Sequence, residues 1–224
     1  MTVLHLADEG EAADLAAFLS RLLHYDRGAA VRRQAPGTAL AVFGRPPSFE
    51  VLAVRAVRLA KPYEDGLDVT LDVTVSAGEL LESVDEPAAT AGVPGAVTGP
   101  PWAGVLPPRG GWRPEPGLPA PDALRALVAA AVAEFRSRTG ELAPEKRTRT
   151  ELDRIGREIW SRTVGDTGLP VRAVHAAQSL GFLRPAAGGG AALVSSGAWL
   201  RLRTPYGSVA LRRAGTGALG LSVR

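Results

Sequence analysis

Residues 67–75 read Leu-Asp-Val-Thr-Leu-Asp-Val-Thr-Val, an unbroken alternation of apolar and polar side chains. Side chains on a strand point alternately to the two faces of a sheet, so this segment fits a strand with one dry and one wet face and fits no helix. A wet-faced strand belongs in an antiparallel sheet, because parallel sheets are covered on both sides. Its partners are expected nearby, since short turns join only antiparallel neighbours. Three runs qualify. Residues 29–34 lead through Ala35-Pro36-Gly37-Thr38, a turn signal, to residues 39–44. Pro46-Pro47 breaks the chain, a long Val/Leu-rich run covers 49–60, and residues 61–66 supply the next turn.

Helices in the same stretch announce themselves by their caps. Asp8 and Glu11 have capping-box spacing, and Leu15, Phe18, Leu19, Leu22 and Leu23 follow on one helical face. Residues 25–28 end that helix, with His24 in its last turn, where a cation suits the helix dipole. Ser76 with Glu79 opens a second, short helix through Val84, and residues 2–6 read as a short strand. Residues 1–86 are therefore expected to form an α+β unit of helix plus antiparallel sheet.

Residues 87–121 change character, with ten prolines and seven glycines. Composition alone would make this a linker, but it carries Trp102 and Trp112. Two tryptophans imply either a strap packed on a neighbouring surface or a proline–aromatic segment offered to a partner chain. Residues 122–224 read as a helical unit that ends in strands. Leu124, Leu127, Val128, Ala131, Val132 and Phe135 form a stripe on the first helix, which Thr139-Gly140 stops. Leu152, Ile155 and Ile159 form a stripe on the second, begun by Pro144, Thr148 or Thr150. A third helix spans residues 170–181, and strand runs at 191–195, 198–204 and 208–213 make a β-meander.

Charge divides the chain in two. The total is only +3, yet residues 1–100 carry 8 basic and 14 acidic side chains, and residues 101–224 carry 18 basic and 9 acidic. Opposite signs imply two units in different surroundings, or an acidic first unit docked on a basic second one. The basic residues are 24 arginines and 2 lysines, and asparagine is absent. A GC-rich coding sequence yields that bias without selection for function, so position matters more than number.

Several chemistries find no footing. With no cysteine there is no disulfide, thiol or thiolate metal site. His5, His24 and His175 are too scattered for an HExxH-type centre. Neither GxxxxGK[ST] nor GxSxG occurs, and residues 215–220 match GxGxxG only by letter, with no room for a following helix. Asp68 and Asp72, with Glu64 and Asp65 nearby, share one strand face; side chains two apart on such a face lie about 7 Å apart and these two, four apart, about 13 Å, so the comb is better read as a solvated sheet face than as a shared metal site. His24 with Asp26 completes no catalytic set. No catalytic residue, metal or cofactor is expected. No run reaches the ~20 apolar residues of a membrane span, and no secretory segment is legible, so a cytoplasmic protein is expected.

The element order of residues 122–213, three helices and then a hairpin, resembles a winged helix-turn-helix. That resemblance implies nucleic-acid binding through the third helix, with the hairpin on the backbone. Arg172, His175 and Ser179 then share a face, with Gln178 at its border, and Arg and Gln read guanine and adenine edges. Arg147 and Arg149 lie about the start of the second helix. Trp199, Arg201 and Arg203 share one strand face by period two, and Arg212 lies on the next strand; an aromatic among arginines stacks on bases. The competing reading is a protein-interaction module or homo-oligomer that uses Trp102 and Trp112.

Overall fold

The computed structural model describes residues 3–35, 38–60, 71–185 and 190–213. The first half supplies β1 (Val3–His5), α1 (Glu9–Tyr25), β2 (Ala30–Ala35), β3 (Ala39–Gly44), β4 (Leu52–Arg58), β5 (Leu71–Ser76) and α2 (Ala77–Glu82). β6 (Val84–Asp85) closes the first unit, and the strap contributes β7 (Thr90–Gly92), a 3-10 turn at Pro101–Gly104 and β8 (Arg113–Glu115). There follow α3 (Pro121–Gly140), α4 (Arg149–Trp160), α5 (Val171–Ser179), β9 (Ala192–Ser196), β10 (Trp199–Thr204) and β11 (Gly207–Arg212). The fold is α+β with antiparallel sheets.

Caps set the helix starts. Asp8 accepts from the Glu11 N–H at 2.9 Å, and Ser76 from the Glu79 N–H at 3.4 Å. For α4 the cap is Thr148, which accepts from the Glu151 N–H at 3.3 Å, while Pro144 opens a separate 3-10 turn. The long 49–60 run is shorter as a strand, because Ser48 and Glu50 take left-handed backbone (φ 72° and 53°) that a strand cannot contain. The alternating segment appears as β5 from Leu71 onward; its residues 67–70, and Glu64 and Asp65, lie outside the described residues. So do residues 215–220.

Eight strands form one sheet in the order β5-β2-β3-β4-β11-β10-β9-β8. β4 and β11 join the strands of the first half to those of the second through three residue pairs, Ser208↔Val54, Val209↔Ala53 and Ala210↔Leu52. A small second sheet has the order β1-β7-β6. Helices pack on one face of the large sheet. Leu15, Phe18, Leu19 and Leu22 of α1 and Val171, Val174 and Ala177 of α5 belong to a single core with Val31, Val42, Leu200, Leu202 and Val209. Each large aliphatic side chain so buried contributes about 1.5–3 kcal/mol, which ties the halves into one core.

The opposite face carries the proline-rich strap. The Val97 N–H donates to the Thr74 carbonyl at 2.9 Å on the edge strand β5. Arg32 then donates to the Ala103 carbonyl, and Trp102 and Leu106 pack on Phe43, Leu52 and Val54. Further on, Ser196 donates to the Gly110 carbonyl at 3.2 Å, and the chain becomes β8, paired with β9 at the other edge. Among the described residues no helix is long and apolar enough to cross a membrane.

Candidate functional site: an arginine–tryptophan groove at the β4–β11 seam

Most arginines of the helical layer already have partners. Arg147 donates to the Leu142 and Gly140 carbonyls at 3.0 and 2.7 Å, which satisfies the end of α3. Arg149 lies 3.8 Å from Asp153, one turn along α4. Arg154 pairs with Glu151 at 2.6 Å, Arg138 with Glu158 at 2.7 Å and Arg162 with Glu134 at 2.6 Å. Hydrogen bonding from Arg138, aided by the charges of Arg138, Arg162 and Arg154, holds the Glu158 carboxyl down at about 2. Carboxylates one turn away or on the facing helix thus cancel much of the positive charge that the sequence assigns to this half.

Helix α5 is occupied on most sides. Val171, Ala173, Val174, Ala176 and Ala177 are buried. The His175 ring stacks on Trp160 at 4.6 Å and meets the Phe49 edge at 5.2 Å. Burial there lowers its pKa, which favours the neutral imidazole. Arg172 turns to Glu50, 3.3 Å away. Gln178 alone of the expected base-reading residues is exposed, beside a shallow pocket between α3 and α5 that Arg136 and Ser179 also line. The β10–β11 hairpin, for its part, continues into β4 and is internal to the large sheet.

A different surface gathers the remaining candidates. Pairing between β4 and β11 stops at Leu52↔Ala210, so Leu211 and Arg212 run on without a β4 partner. The β3–β4 loop bends away there through its left-handed Ser48 and Glu50. The resulting groove of about 380 Å³ is lined by Arg45, Glu50, Trp102, Arg172, Trp199 and Arg212, with Val105 at its rim. Trp199 and Arg212 are direct cross-strand partners, and the guanidinium lies over the indole at 5.8 Å. Trp102 is fixed from below by Phe43, Leu52 and Val54. Among the described residues Arg45, Arg203 and Arg212 make no ion pair.

Beyond the groove the same sheet face continues along β10. Arg201 donates to the Ser208 hydroxyl at 2.8 Å and lies 5.6 Å over the Trp112 ring. Burial, and then the neighbouring charge of Arg203, lowers its pKa. Trp112 is held by its indole N–H on the Pro108 carbonyl at 3.0 Å, and Arg203 is exposed.

The structure therefore brings Arg172, Trp199, Arg212 and Trp102 into one groove, with Arg201, Arg203 and Trp112 beside it. Arg147, Arg149, His175 and Gln178 lie elsewhere. Arg45 and Glu50 were invisible to sequence reading, because nothing local links the β3–β4 loop to a strand near the far end of the chain. Asp72 is bound bidentately by Arg32 at 2.8 Å and by Gln34 at 3.0 Å, so on its face it acts as an ion-pair partner.

Residues 1–104 match the family model of a domain of unknown function, DUF8010. Residues 107–216 match that of a second domain of unknown function, DUF8185. No curated protein matches the chain. The groove draws Arg45, Glu50 and Trp102 from the DUF8010-like stretch, and Arg172, Trp199 and Arg212 from the DUF8185-like stretch. Binding sites form preferentially at such meeting points between chain units.

Proposed function

We propose that the protein is a cytoplasmic nucleic-acid-binding protein that holds a single strand along the seam groove and the adjoining face of β10. One observation carries this reading: Trp199, with the Arg212 guanidinium 5.8 Å over its ring, lines one groove with Trp102, Arg45 and Arg172. Indole faces accept any base by stacking, and guanidinium groups neutralise the phosphates between bases. Unstacked bases suit this geometry better than a duplex groove, because α5 has little free surface to insert. The competing role of the strap as a docking segment for another protein is less favoured, since Trp102 packs on the chain's own sheet.

The test is fluorescence anisotropy of labelled oligo(dT) and oligo(U) over a salt series. Binding should weaken steeply as salt rises. The double variant Arg45→Ala/Arg212→Ala should flatten the log–log slope by about 0.7 per arginine removed. Absence of binding to either oligomer at low salt would end this reading.

A further inference from the structure

We propose that Arg172 is the phosphate-binding position of the seam groove, and that the Glu50 carboxylate occupies this position until an incoming phosphate displaces it. The inference rests on the groove reading above and names the atoms that would exchange. Glu50 Oε2 lies 3.3 Å from Arg172 Nε, within ion-pair distance. That approach is not aligned as a hydrogen bond, and Arg172 Nε is shut off from solvent with no hydrogen-bond partner. The two side chains differ sharply in setting, with Arg172 25 % exposed and Glu50 71 % exposed. A well-placed cation is therefore met by a poorly placed, largely hydrated anion. Phosphate oxygens with in-plane access to the guanidinium would bind it better.

Loop construction explains why Glu50 sits there. Phe49 is buried, and its ring meets the edges of Tyr25 and His175 at 5.3 and 5.2 Å, so the loop is pinned one residue away. Ser48 and Glu50, on either side of that anchor, hold left-handed backbone without being glycine. Non-glycine residues avoid this region, so the Phe49 anchor and not local preference sets the loop's shape, and that shape does not depend on the Glu50 side-chain contact. The loop can thus let go at Glu50 while Phe49 stays in place.

Charge decides which side the phosphate enters. Glu50 and Arg172 line two adjoining cavities. The cavity toward α4 also holds Asp153 and Arg157, so its charges balance and it offers an anion nothing. The cavity toward β11 adds Arg45 and Arg212, so three arginines face one carboxylate. With Glu50 displaced toward solvent, a phosphate at Arg172 lies in the same groove as the Trp199 and Trp102 rings, which suits a phosphate diester or a nucleotide with its base stacked.

The experiment is calorimetric titration of the full chain with inorganic pyrophosphate, using wild type, Glu50→Gln, Arg172→Gln and the double variant, with thermal melts to confirm folding. Glu50→Gln should bind about tenfold more tightly than wild type, the weight of one displaced charge-assisted contact. The double variant should bind no better than Arg172→Gln alone. Equal affinity of wild type and Glu50→Gln overturns the proposal, as does failure of Glu50→Gln to bind pyrophosphate. An undiminished gain in the Arg172→Gln background also overturns it, because Glu50 would then act only through overall charge. Parallel oligo(dT) titrations separate the two readings. Pyrophosphate ranking as expected without oligonucleotide binding supports this site and removes the single-strand function. Oligonucleotide binding that is indifferent to Glu50→Gln removes this site and keeps the function.

Discussion

The seam between β4 and β11 has two ends, and arginine serves opposite purposes at them. At the closed end Arg55, 6 % exposed in its side chain, donates to Glu11 at 2.8 Å and lies 3.3 Å from Asp14. It also donates to the Tyr206 carbonyl at 2.8 Å, while Arg184 pairs with Asp14 and covers the Tyr206 ring at 3.6 Å. One network thus spans α1, β4 and the β10–β11 turn. At the open end Arg45, Arg172 and Arg212 meet two indoles and a single, mostly hydrated carboxylate. The difference comes from α1, whose Glu11 and Asp14 reach one end only. Arginine becomes a clamp where carboxylates arrive with it into the interior, and a receptor where aromatic rings replace them.

This contrast can be broken at several points. The largest effect is expected at the closed end. Arg55→Ala removes the cation shared by Glu11, Asp14 and the Tyr206 carbonyl, leaves Glu11 with only the exposed Arg58, and should cost about 3 kcal/mol in urea denaturation. A loss below about 1 kcal/mol would mean that the network does not hold the seam. At the open end, Trp199→Ala should cost oligo(dT) binding about 1–3 kcal/mol, or roughly five- to 150-fold in affinity, with a loss of stability of only about 1 kcal/mol from its cross-strand contact with Arg212. Equal affinity of variant and wild type would show that the groove is not where bases stack.

A smaller, pH-dependent effect sharpens the same point. Burial lowers the His175 pKa beside Phe49 and Trp160, so the unfolded chain takes up a proton at that position before the folded one does. Stability from this source is full above about pH 7, and falls as pH drops through about 6.5 toward the lower folded value. His175→Phe should remove that slope in urea titrations between pH 5 and 8. Parallel slopes for the two proteins would mean that His175 titrates freely. The smallest effect belongs to the helical layer. Arg149 and Asp153 are exposed and 3.8 Å apart, so Arg149→Ala should change stability by less than about 0.5 kcal/mol. It should also leave oligo(dT) affinity untouched; a weakening like that of the groove variants would move the binding surface onto α4.

The charge division of the sequence takes on a different meaning in the fold. The excess of basic residues after position 100 is not a uniform field, because Glu134, Glu151 and Glu158 meet Arg162, Arg154 and Arg138 across α3 and α4. Spacing on α4 made part of this legible, since Glu151 and Arg154 are three residues apart. The Arg138–Glu158 and Arg162–Glu134 pairs were not legible, because they depend on how two helices pack. The same holds for His175: its spacing from Arg172 placed it on a helix face, but only packing turned that face toward Trp160 and Phe49.

Local chemistry by itself determined the capped starts of α1 and α2 at Asp8 and Ser76, the buried stripe of α1, the meander of β9, β10 and β11, and the shared face of Trp199, Arg201 and Arg203. Each depends on residues a few positions apart, and helical or strand periodicity fixes their relation before any tertiary contact forms. Only the tertiary structure decided that β4 pairs with β11, that the strap lies across the back of the sheet, and that Arg45 and Trp102 meet Trp199. Val54 and Ser208 pair through main-chain hydrogen bonds that almost any residue can make, and a common core beneath them selects the partner. Such a choice depends on the whole chain's burial of apolar surface, so it leaves no mark in any one stretch of sequence.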